Sequence, residues 1–114
     1  CQSLAQEIVS LFALSGTEAK LSGHYPGWAP NPNSPLLALC QKVYRQQHGH
    51  LATMQVIHAG LECGIVAGKY PDMDIVSFGP TIRGAHAPGE AVEVASVALT
   101  WGLLKDILAA ATQA

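Results

Sequence analysis

Apolar side chains first recur at helical spacing at Leu4, Ile8, Leu11 and Phe12, and the pattern stops before Gly16. Residues 3–14 are therefore expected to form a helix with one apolar face. Residues 19–22 alternate weakly, as a short strand would. The stretch 23–33 then crowds glycine and proline around Tyr25 and Trp28, a natural boundary between two structural units. A second helix carries the plainest start signal in the chain. Ser34 stands at the N-cap, Pro35 at the first helical position, and Leu36, Leu39, Cys40, Val43 and Tyr44 follow on one stripe ending near Gly49.

Beyond Gly49 the period changes. Residues 54–59 and 74–79 are short apolar runs rich in branched side chains and read as strands buried on at least one face. Residues 61–70 lie between them, bounded by Gly60 and Pro71, as a compact helical crossover would. The longest helix is expected over residues 96–112, with Val97, Trp101, Leu104 and Leu108 spaced for burial along one face. From Ser34 onward the alternation is that of an α/β layer with a parallel sheet. No period of 20 to 50 residues repeats, which excludes a solenoid.

Composition narrows the class. At 114 residues, 49% hydrophobic and 12% charged, the chain has the size of one small domain and enough apolar content for a core. Six Lys and Arg against a net charge of -2 give no basic stripe for a phosphate backbone, so nucleic acid is not an expected partner. Lys105 and Asp106 interrupt the most apolar stretch and leave no run near the roughly 20 residues of a membrane span; a soluble protein without a membrane partner is expected. Cys1, Cys40 and Cys63 are odd in number and lack a C-x-x-C spacing. They read as reduced, buried thiols of a cytoplasmic protein and not as a structural zinc site. The chain opens directly in a helical pattern without Met, which is read as a cut inside a longer chain.

In an open α/β sheet, chemistry falls on the loops past the carboxyl ends of the strands. Two such loops are expected, at 58–64 and 79–90. Each sets a histidine and a carboxylate beside glycines, which let a ligand approach the backbone closely. That arrangement suits a metal or a carboxylate-bearing ligand. Read alone, His86 is equally a solvated loop histidine or a metal ligand. Glu62 either favours a helix N-terminus or faces a ligand, and Arg83 either clamps a carboxylate or forms a surface ion pair. Cys63 and His58 have no orienting third group and are not read as a nucleophile and its base. His24, His48 and His50 read as solvated, and Trp28 and Trp101 as packing residues.

Three strings carry a resemblance. Tyr25-Pro26-Gly27-Trp28-Ala29-Pro30-Asn31-Pro32, Ile57-His58-Ala59-Gly60-Leu61-Glu62-Cys63-Gly64 and Ser77-Phe78-Gly79-Pro80-Thr81-Ile82-Arg83-Gly84-Ala85-His86 closely resemble the carboxy-terminal third of the bacterial aminoacyl-histidine dipeptidases, also called Xaa-His dipeptidases or carnosinases. They do so in order, along nearly the whole chain. The resemblance implies a co-catalytic zinc exopeptidase, in which a catalytic α/β domain carries an inserted lid domain that often mediates dimerisation. Residues 1–30 would be the end of the lid and its linker, and residues 31–114 the final part of the catalytic domain.

By the same resemblance His86 would ligate the second of two zinc ions, with manganese or cobalt as possible substitutes, and Glu62 and the glycines around it, Gly60 among them, would line the pocket for an Xaa-His dipeptide such as carnosine; Arg83, in its clamp reading, would hold the substrate carboxylate there. The other metal ligands and the general base would lie upstream, so no catalytic residue falls in this chain. The missing amino-terminal part of the enzyme and a second copy would be its partners, and the chain alone would be inactive. The family reads Ser-Pro-Asp-Glu after the histidine where this chain reads Ala87-Pro88-Gly89-Glu90, which removes a hydroxyl and a carboxylate from beside the ligand. A second reading, from a different class, is a non-catalytic α/β module for interaction or dimerisation.

Overall fold

In the computed structural model, residues 2–24, 26–57 and 62–112 are described. Among them the chain forms four helices and one short ribbon: α1 (Gln2–Leu14), α2 (Pro35–His48), α3 (Glu62–Lys69), β1 (Ile82–Arg83), β2 (Ala91–Val92) and α4 (Val94–Ala111).

α2 is the organising element, and its ends are built as the sequence signals. Ser34 adopts an extended conformation, its Oγ accepts from the Leu37 N–H at 2.9 Å, and Pro35 follows at the first helical position. At the other end Gly49 takes the left-handed conformation (φ 77°) that a C-cap glycine supplies without steric cost, its N–H donating to the Arg45 carbonyl. The expected stripe is the buried one: Val43 is buried, and Leu36, Leu39, Cys40 and Tyr44 are half-buried. Burial pushes the Cys40 thiol up from its usual range, as an inert packing thiol requires. Cys40 and Cys63 are both free, and both are half-buried where fuller burial was expected.

Both expected strands start from contacts to α2. The Gln41 amide donates to the Ala52 carbonyl at 3.0 Å and accepts from the Ala52 N–H at 2.8 Å, taking the place of a neighbouring backbone just ahead of residues 54–57. The Asp74 carboxylate accepts from the Leu36 N–H at 3.0 Å and from Ser34 Oγ at 2.7 Å, so the run 74–79 begins as a second cap on α2. These bonds, the Leu36 amide first and the Ser34 hydroxyl second, hold the Asp74 carboxyl below its ordinary range.

Here the structure departs from the expected parallel sheet. Residues 54–57 and 74–79 carry no strand pairing, and the weak alternation at 19–22 forms no strand; residues 58 and 59 lie outside the described ones. A strand exists by pairing its backbone with a neighbour, and among the described residues neither run has one. Val56 is 73% and Ile57 56% exposed. The one ladder that does form is antiparallel, Ile82 opposite Val92 and Arg83 opposite Ala91, inside the segment expected to be a loop.

α4 begins at Val94, two residues before the expected start, with Glu93 at its N-cap. It packs on α2, but through a different face from the one anticipated. Ser96 and Ile107 are its buried residues; of the expected face Leu104 is half-buried, while Val97, Trp101 and Leu108 are 46%, 60% and 58% exposed. The cause is that α4 is apolar all round, the signature of a helix covered on several sides, and α2 covers one. Lys105 and Asp106 do not interrupt it. The helix runs 18 residues at mean hydropathy 1.5 and is long and apolar enough, by length and composition alone, to cross a bilayer. One side of it lies against α2, where Asp106 accepts from the Gln47 amide, and most of the rest is exposed. α1 forms as expected but buries nothing; Leu4, Ile8, Leu11 and Phe12 are between 47% and 67% exposed.

The dimensions fit this picture. The radius of gyration is 19.1 Å, against roughly 13 Å for a compact domain of this length. The accessible surface is 9340 Å², against roughly 6,000 Å² for a compact 11.9 kDa protein.

Two contacts set the geometry on either side of α3 and α4. Gly64, buried on α3, faces the Pro26 carbonyl so closely that a Cβ would lie 2.6 Å from its oxygen, and Gly68 one turn on meets the Pro26 ring. Trp28 is half-buried beside them. The β1–β2 ribbon is rooted on α4 by Ser96, whose Oγ accepts from the Thr81 N–H at 2.8 Å and donates to the Glu93 carbonyl at 2.6 Å, while the Glu93 N–H donates to the Thr81 carbonyl at 2.9 Å.

Gly64→Ala is expected to destabilise by about 1–3 kcal/mol through overpacking, read as a lower urea midpoint. Ser34→Ala is expected to cost about 1 kcal/mol as a lost N-cap. Because the folded-state pKa of Asp74 is depressed, its stabilisation is present above the unfolded carboxylate value of about 3.9 and is lost as pH falls through the folded value. The urea-midpoint difference between the wild-type chain and Asp74→Ala should therefore be full at neutral pH and vanish on acidification; a difference independent of pH would contradict this role.

Candidate functional site

The loop 84–90 is the tip of the β1–β2 ribbon. Gly84 and Gly89 take left-handed φ values of 63° and 87°, and His86 joins them at 61°, the one non-glycine residue among the described ones to do so. For a residue with a Cβ that conformation costs roughly 1–2 kcal/mol, so something must hold it. The loop supplies two turns and a side-chain bond. The Ala87 N–H donates to the Gly84 carbonyl at 3.0 Å and the Glu90 N–H to the Ala87 carbonyl at 3.1 Å. The Glu90 carboxylate then accepts from the His86 N–H at 3.2 Å. The His86 side chain stands exposed at the tip. It presents an imidazole on a backbone held from both sides.

Among the described residues, no other residue singled out as a pocket or metal candidate is hydrogen-bonded to His86. Arg83 makes an ion pair with Glu93 across the base of the ribbon at 3.2 Å, both partners well exposed at 76% and 48%. This is the surface salt bridge that was the plainer of its two readings, and in water such pairs contribute little. Glu62 opens α3 and is exposed, a placement the helix macrodipole favours. Gly60 and His58 lie outside the described residues. His24, His48 and His50 are exposed, as read, and the last two lean on Tyr44, with ring centroids 4.3 and 5.6 Å away. Trp101 is exposed where packing was expected.

Among the described residues no group of three His, Cys, Asp or Glu is placed to hold a metal ion. One imidazole does not make a zinc site, which needs three protein ligands even in its open catalytic form. Two grooves of about 420 and 450 Å³ are lined by α2 and α4 residues, among them Val43, Gln47 and Asp106 in one and Leu36, Leu39 and Lys42 in the other. Neither is lined by Glu62, Arg83 or His86.

Sequence reading gave no structural role to Ser96 or Asp74, which hold the ribbon and the run 74–79, and named Glu90 only as the carboxylate of the loop 79–90. Ser96 and Asp74 act on backbone groups 15 and 38 residues away, where local pattern says nothing. Glu90 left a visible signal, because 84–90 contains no polar side chain besides its own and that of His86.

No family model matches the chain. The chain is 46% identical over 99 residues to the cytosol non-specific dipeptidase of Escherichia coli (strain K12), a match that takes in 87% of this chain and 20% of that protein. The chain thus spans about a fifth of the length of the curated relative it matches. Over most of its length this chain is similar to part of a dipeptidase, which bears out the dipeptidase resemblance carried by the three motifs.

Proposed function

We propose that this chain is the carboxy-terminal part of a cytoplasmic, metal-dependent dipeptidase that hydrolyses Xaa-His dipeptides, and that its contribution to the site is His86. The observation that carries the reading is the kinship to a dipeptidase, joined to the constrained presentation of His86 at the ribbon tip. The relative's name supports dipeptide hydrolysis and a cytosolic setting. It carries no preference for histidine; that preference, and the use of two zinc ions or of manganese or cobalt in their place, rest on the motif resemblance alone. Bound zinc would lower the pKa of a water and polarise the scissile carbonyl.

In this reading the segments missing around the chain supply the remaining ligands, the general base and the strands that flank residues 54–57 and 74–79. Glu62, Gly60 and Arg83 would border the dipeptide, Arg83 after giving up its weak pairing with Glu93. The exposed faces of α1 and α4 would be covered by the rest of the enzyme and, at the lid end, by a second copy. A purely structural module would account for the apolar faces, but it leaves the left-handed, carboxylate-held His86 without a purpose.

Two measurements test the proposal. In the longer protein, His86→Ala should lose bound zinc and lower hydrolysis of an Xaa-His dipeptide by more than about 100-fold, since even the partners that merely orient a ligand are worth about 10–100-fold; unchanged metal content would remove His86 from the site. The 114-residue chain alone should show no submicromolar zinc binding by calorimetry and no turnover.

A further inference from the structure

His86 is held in an unfavourable backbone conformation, and its loop offers few means of holding it there. Gly84, Ala85, Ala87, Pro88 and Gly89 have no polar side chain. The two turn hydrogen bonds, Ala87 to Gly84 and Glu90 to Ala87, fix the backbone on either side but leave the His86 N–H out. That N–H points at the Glu90 carboxylate, 3.2 Å away. Glu90 is itself the last residue before β2, so its backbone is fixed by the Arg83–Ala91 and Ile82–Val92 pairs and, through Glu93 and Ser96, by the start of α4.

We infer that Glu90 is the positioning residue for His86: its carboxylate, anchored by the ribbon, accepts from the His86 amide and keeps the residue left-handed, so that the imidazole projects from the tip in one direction. The consequence for metal binding rests on the proposed role of His86 as a ligand; the conformational role does not. A charged acceptor makes a stronger bond to an amide than a neutral one, and a neutral amide of the same shape keeps the acceptor. Glutamine should therefore largely replace glutamate here, whereas alanine should not. The same geometry explains why the loop tolerates glycine at position 89. Gly89 sits at φ 87°, where glycine is free of the strain any other side chain would meet, and the carboxylate next in sequence does the holding.

The test compares Glu90→Ala, Glu90→Gln and His86→Ala in the longer protein, with two readouts: hydrogen exchange of the His86 amide, and zinc affinity by competition with a chelator. Exchange at α4 amides serves as the control that each variant is folded. In Glu90→Ala the His86 amide should exchange at least about tenfold faster and zinc affinity should fall by about 10–100-fold, while Glu90→Gln stays within about threefold of wild type on both. Unchanged exchange in Glu90→Ala overturns the positioning role, as does a Glu90→Gln variant that behaves like Glu90→Ala. Faster exchange in Glu90→Ala together with unchanged zinc affinity in His86→Ala supports the positioning role and overturns the ligand reading instead.

Discussion

A β-strand cannot satisfy its own backbone, and that constraint shapes most of this molecule. The runs 54–57 and 74–79 have the branched, apolar composition of buried strands, and each is led in by a side chain of α2 or a bond to its cap: Gln41 on Ala52, Asp74 on Ser34 and Leu36. Between those anchors and their far ends no neighbour supplies a ladder among the described residues. The exposed face of α4 follows from the same lack, because a helix apolar on most sides packs under a sheet, and among the described residues α2 covers one side and the ribbon touches its start. The accessible surface exceeds that of a compact protein of this mass by on the order of 3,000 Å².

The elements whose formation is local were legible in the sequence. α2 and its caps are spelled by Ser34, Pro35 and Gly49, and α1 by its apolar spacing, because a helix closes its hydrogen bonds within itself. The sheet was not legible as built, since strand composition reports burial and says nothing of whether a partner is present. The face of α4 was misread for a related reason: Val97, Trp101 and Leu108 and the Ser96–Ile107 side are equally plausible when all faces are apolar, and the choice belongs to the neighbour.

The site shows the same division. His86 was visible through its place between glycines after a strand-like run, and its left-handed backbone gives that placement a physical content the sequence lacked. The short ribbon that carries it was not visible, because two-residue strands are defined by the pairing itself and by Ser96, which bridges Thr81 to Glu93. Arg83 pairs with Glu93 across the base of the ribbon. The chain is similar to about a fifth of a dipeptidase, and its described residues show one left-handed histidine at a ribbon tip, two unpaired apolar runs and helices with exposed apolar faces.

Amide hydrogen exchange at residues 54–57 and 74–79, compared between the 114-residue chain and the longer protein containing it, tests this directly. The expected result is fast exchange in both runs for the chain alone and strong protection of both in the longer protein, where flanking strands complete their ladders. Equally fast exchange in the longer protein would contradict the view that this chain is a section of a larger sheet.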